Sequence, residues 1–116
     1  MQHILLIYEP QGVYDGPAGE ARLAEVVQKH RALAEDLRAK GQMKDGSGLA
    51  PTASARTVAT EAAGQTVHDG PFAETREELG GYYLVDVPDT EAAVAIARRI
   101  PVAAGGKVEV RPLLYG

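Results

Sequence analysis

Residues 68–87 read HDGPFAETREELGGYYLVDV, and the fold turns on their second half. In GGYYLVDV, residues 80–87, Tyr83, Val85 and Val87 alternate with Tyr82, Leu84 and Asp86. That period of two, rich in aromatic and β-branched residues, predicts a strand with one strongly apolar face. The first half is loop material. Asp69 is suited to bonding amides ahead of it, Gly70 to a positive φ, and Pro71 to fixing the next dihedral. Thr75 and Glu78 have the T-x-x-E spacing of a capping box, which predicts a short helical turn ending at Gly80-Gly81. Phe72, the one phenylalanine of the chain, has two readings here. It anchors the loop by filling an apolar depression, or it forms a cleft wall with Tyr82.

Outward from that strand the punctuation is clear. Ile4 to Tyr8 is apolar at successive positions, as in a strand covered on both faces. Leu23, Val26, His30, Leu33 and Leu37 recur at spacings of three and four, predicting a helix from about Ala18 to Lys40. Pro17 suits its first turn and Gly41 its left-handed end. Met43–Ala50 and Ala55–Thr60 read as short strands, and EAAG before QTVHD as a hairpin. Downstream, Asp89 or Thr90 caps a second helix with an Ala93, Ile96, Ala97, Ile100 stripe, and Pro101 stops it. In KVEVRPLLY, Val108 and Val110 alternate with Glu109 and Arg111, predicting a last strand, with Pro112 at an edge or beyond pairing.

The order strand, helix, strand, hairpin, strand, helix, strand predicts an α+β fold: a split βαβ antiparallel sheet with two helices on one face and an inserted hairpin. The 116 residues make one domain, 1–116. Two helices cover one sheet face, so Tyr82, Leu84 and part of the first strand are left for a second copy, and the pattern predicts a homodimer packed sheet to sheet. The terminal Leu113–Gly116 reads as a strand extension or a contact with that copy.

Composition narrows the function. Apolar residues at 45% and charged residues at 24% fit a folded protein rather than a disordered or membrane one. A net charge of −4 without a basic cluster argues against nucleic acid. There is no cysteine, hence no disulfide or thiolate zinc site, and the start lacks the form of a signal peptide, which predicts a cytoplasmic protein. His3, His30 and His68 are too scattered to suggest a metal site, and no motif demands a cofactor. Gly46-Ser47-Gly48 is neither a dinucleotide loop, since Pro51 and a strand follow, nor a nucleophile elbow. It reads as a bulged or closely approached strand, with Ser47 available to line a pocket.

The motif HDGPFAETREELGGYYLVDV, with MQHILLIYE, the His30 helix, GSGLAP, EAAVAIARRIP and GGKVEVRP, resembles the YCII-related family and its DGPF subgroup over nearly the whole chain. The resemblance implies a ferredoxin-like fold and dimers of the dimeric α+β barrel kind. It also implies an acid–base pair of a helix histidine and a nearby aspartate. His30 holds the histidine's position, but the aspartate's place falls on Ala39, which leaves Asp69 as the candidate partner.

The function expected is binding of a small organic molecule, with acid–base chemistry such as isomerisation or elimination carried by His30 and Asp69, and Ser47, Phe72 and Tyr82 contacting the substrate. The competing reading of His30 is a hydrogen-bonded residue packed on the sheet. The competing function is a regulatory or interaction domain with a protein partner, because some DGPF domains accompany extracytoplasmic-function sigma factors.

Overall fold

The computed structural model describes residues 1–115. The elements are β1 (Gln2–Pro10), α1 (Gly16–Ala39), β2 (Met43–Gly48), β3 (Arg56–Glu61), β4 (Gly64–Asp69), β5 (Glu77–Asp86), α2 (Thr90–Ala97) and β6 (Lys107–Pro112). The protein is α+β. Its four-stranded sheet has the order β2-β5-β1-β6, with every neighbouring pair antiparallel, and β3-β4 form a separate two-stranded sheet.

Alternation sorts the side chains of the main sheet. His3, Leu5 and Ile7 of β1 and Tyr83 and Val85 of β5 face the helices and are buried together with Leu33 and Leu37 of α1 and Ala93 and Ile96 of α2. Fully burying a side chain such as Leu5 or Leu37 contributes roughly 1.5–3 kcal/mol. Ile4, Leu6, Tyr82 and Leu84 lie on the opposite face and are only half-buried, so the apolar run of β1 is covered on one side alone.

The helix ends follow their sequence signals. At the end of α1, Gly41 takes φ +71°, its amide bonds the Arg38 carbonyl (3.0 Å), and the Gln42 amide bonds the Leu37 carbonyl (2.9 Å). These two bonds are the Schellman arrangement. For α2 the cap is Asp89, whose carboxylate accepts from the Ala92 amide at 2.9 Å. Thr90 is used otherwise: its hydroxyl lies 3.0 Å from Nε2 of the buried His3. A carbonyl only accepts, so His3 Nδ1 donates to the Met1 carbonyl (3.4 Å) and Nε2 accepts from Thr90, tying α2 to β1.

Three expectations are corrected. The Thr75–Glu78 capping box does not form. Glu77, Glu78 and Leu79 pair with Pro10, Glu9 and Tyr8 as the start of β5. Thr75 Oγ1 donates to the Glu77 carbonyl, and Glu78 accepts from the Thr52 hydroxyl (3.1 Å). Ladder bonds to β1 therefore satisfy amides that a cap would have served. Phe72 does not anchor its loop, being 83% exposed. The α1 stripe is buried only in its C-terminal half: Leu33 and Leu37 are covered, whereas Leu23 is 42% exposed.

At the end of the chain, the Leu113 amide bonds the Gln2 carbonyl (3.0 Å), and Leu114 and Tyr115 are exposed. Gly116, the last residue of that expected contact, lies outside the described residues.

Candidate functional site

A cavity of about 320 Å³ opens between the C-terminal half of α1 and the β2-β5 end of the sheet. Its origin lies in glycine. Gly48 pairs with Gly81, Gly46 with Tyr83, and Gly81 with Ile7, so all three glycines fall on the helix-facing side with Tyr83 and Ile7. These positions send no side chain of their own toward α1, and only Met43 reaches across, over Gly46. Gly80 is the extra residue where the β1-β5 register shifts between Ile7 and Tyr8, and it lines the same space. Close packing holds two of the floor glycines: a Cβ on Gly81 would lie 3.0 Å from the Ser47 carbonyl oxygen, and one on Gly46 would lie 2.4 Å from Met43 Cε.

The roof is the α1 face carrying Val27, His30, Arg31, Ala34 and Arg38, at helical spacings of three and four. His30 Nδ1 is 2.6 Å from the buried Tyr83 hydroxyl, with ring centroids 5.7 Å apart. Burial lowers the His30 pKa below 6.5, against the opposing pull of the Glu9 carboxylate and the Pro101 backbone. At neutral pH the imidazole is therefore neutral. Burial pushes the Tyr83 hydroxyl up to about 12, opposed by Arg38, so it stays protonated.

Glu9 also lines the cavity, and it is firmly placed. Its Oε2 accepts from the Tyr14 hydroxyl (2.5 Å) and from the Ala103 amide (2.9 Å). Desolvation, with the Glu9 carboxylate second, raises the Tyr14 pKa.

Of the five residues expected at a site, His30 and Ser47 share this cavity. Ser47 pairs with Tyr82 and so belongs to the far face by alternation, and its hydroxyl donates to the Gly48 carbonyl (2.7 Å). Tyr82 donates to Asp45 across the strands (3.2 Å). Asp69 is not brought to His30. Its side chain is 90% exposed and ion-paired with Arg56 at 3.2 Å, while the Gly70 amide bonds the Ala55 carbonyl (2.6 Å) and the Thr57 hydroxyl bonds the Gly70 carbonyl (2.8 Å). Asp69 and Gly70 thus close the base of the β3-β4 hairpin. Phe72 lines a second groove, about 850 Å³, beside Tyr8, Thr52 and Leu79.

The residues missed from sequence were Tyr83, Glu9, Arg31 and Arg38. The two arginines were detectable, since they stand seven positions apart on one helical face next to His30. Glu9 and Tyr83 needed the sheet register. Among the described residues no group of three or more His, Cys, Asp or Glu is placed to hold a metal, and no helix is long and apolar enough to cross a membrane.

Sheet, helices and cleft define an α+β protein with a histidine–tyrosine pair in a glycine-floored cavity. The chain belongs to the YCII-related domain family, whose match runs over residues 1–115. It is also similar to an uncharacterised protein of Rhizobium meliloti (strain 1021), 41% identical over 75 residues, which are 63% of this chain and 60% of that protein. The match therefore spans less than two thirds of the length of this relative.

Proposed function

We propose that the protein binds a small organic molecule in the cavity under α1 and performs acid–base chemistry there with His30. The observation that carries this reading is the neutral, half-buried imidazole held 2.6 Å from the Tyr83 hydroxyl at the wall of an open 320 Å³ space. A volume of this order falls at the small end of ligand sites. The chemistry is proton transfer at a carbon next to a carbonyl, as in isomerisation. Because the Tyr83 hydroxyl occupies His30 Nδ1 and the Pro101 backbone also bonds the ring, the proton passes through Tyr83. The Tyr83 oxygen takes the substrate proton as its own proton moves to His30 Nδ1, Glu9 favours the imidazolium so formed, and the transfer reverses to another carbon with no net redox change. Glu9 fills the carboxylate role expected of Asp69, because it faces the cavity and Asp69 is bonded elsewhere.

The test has two parts. Uncharged small organic fragments are mapped by amide chemical shifts, and shifts should cluster at residues 46–48, 80–81 and 30–38. Binders with a C–H next to a carbonyl are then followed for exchange with D2O, which His30→Gln should abolish. Fragments that map only elsewhere, or exchange indifferent to His30, refute the reading.

The finer architecture belongs to the same proposal. The strand order and the Asp69–Phe72 motif support membership of the DGPF subgroup and a ferredoxin-like sheet. The half-exposed Ile4, Leu6 and Leu84 on the face away from the helices support a face-to-face homodimer of the dimeric α+β barrel kind. Sedimentation equilibrium checks this, and a monomer at micromolar concentration contradicts it.

A further inference from the structure

The charges around the cavity go beyond what proton transfer needs. Arg31 and Arg38, both exposed, line it, and neither has an ion-pair partner within 4.0 Å among the described residues. The lining carboxylates make no close ion pair with them. Glu9 is bonded to Tyr14 and Ala103, and Glu35 is exposed and unpaired even though it stands four residues after Arg31 and three before Arg38. Arg38 is near enough to Tyr83 to oppose the rise in its pKa, which places a fixed positive charge at the His30–Tyr83 end.

The rest of the wall is mostly apolar. Gly48 and Gly81 present bare backbone, Met43 covers Gly46, and Val27 and Ala34 face them from the helix. A guanidinium fork is matched to the two oxygens of a carboxylate, and a bare strand surface under small side chains is matched to a planar body.

Resting on the cleft reading above, we propose that the substrate class is a small, flat organic acid, aromatic or conjugated. Its carboxylate is held by Arg38 with help from Arg31, and its body lies on the glycine floor beside His30.

Benzoate and its neutral isostere benzamide are the probes, titrated into the full chain and followed by amide shifts of the lining residues. Benzoate should bind several-fold more tightly than benzamide, and Arg38→Gln should remove most of that difference, since a charge pair at an exposed arginine contributes up to about fivefold. Arg111→Gln, which alters a paired arginine on β6, should leave it unchanged. Gly48→Ala is the steric probe. Its added methyl would meet nothing closer than the Gly80 carbonyl oxygen at 3.9 Å, so the fold accommodates it while the floor loses depth, and benzoate should weaken several-fold.

Benzamide binding as well as benzoate, or benzoate indifferent to Arg38→Gln, overturns the acid assignment and leaves the cleft reading standing. Benzoate indifferent to Gly48→Ala places the acid elsewhere and overturns the proposal. Failure of benzoate at millimolar concentration overturns it too, and if the uncharged fragments also leave the lining amides unmoved, the cleft reading falls with it.

Discussion

β5 and the β3-β4 hairpin carry strand patterns of similar quality, yet they end in opposite environments. In β5, Tyr83 and Val85 are at most 5% exposed beneath the helices. In the hairpin, Val58 and Val67 pair directly across the strands and are 58% and 55% exposed. The main sheet is held by burial. The hairpin is held by its own ladder, the Arg56–Asp69 pair and the bonds of Gly70 at its base. A period of two specifies a strand, but it does not say which other element will cover the apolar face. Isolated two-stranded hairpins are marginal in water, so this arm depends on its attachment to the body.

The largest test of that contrast compares core and arm. Leu37→Ala should lower unfolding free energy by about 2–5 kcal/mol in urea titrations, whereas Val58→Ser should stay within about 0.5 kcal/mol. A Val58→Ser loss as large as that of Leu37→Ala would mean the arm is packed against something, a second copy being the first candidate. Next in size, Tyr83→Phe should cost about 1–3 kcal/mol, because it leaves the half-buried His30 ring without its partner.

The pH dependence is smaller and its sign is set. The His30 pKa is lower in the folded protein than the ordinary 6.5, so between those two values the unfolded chain binds more protons. Stability should therefore fall as pH drops through 6.5 toward the folded-state pKa, and His30→Gln should flatten that slope. The smallest effect is expected at the loop: Phe72→Ser should leave the melting temperature of the isolated chain almost unchanged, as its ring is exposed. A clear drop would show the aromatic ring buried in solution by a partner.

Much of the body was legible because its signals are local. The Gly41 cap, the α2 cap left between Asp89 and Thr90 and the alternation of 80–87 each depend on residues within a turn or two of one another, and the structure carries all three, with Asp89 as the cap. The Thr75–Glu78 motif was equally local and misled, because pairing with β1 supplied competing partners for the same backbone. The site was less legible. His30 was found from its place on the helix, but Tyr83 is 53 residues away and Glu9 lies on another strand, so only register brings them to the ring. The floor was read as a closely approached strand, which fits the contacts at Gly46 and Gly81, yet its facing Gly48-Gly81 pair could not be counted without the β2-β5 pairing. Asp69 was assigned to His30 by motif, and its role at the hairpin base follows from bonds to Arg56 that sequence distance does not reveal.

The central claim is that His30 works in a cleft shared with Glu9, and the NMR titration of its ring in wild type, Glu9→Gln and Asp69→Asn tests it most directly. The account predicts a reversible wild-type midpoint below 6.5. Removing the Glu9 charge should lower it further, because that charge favours the imidazolium, and Asp69→Asn should leave it in place. A midpoint that moves with Asp69 and ignores Glu9 would contradict the account.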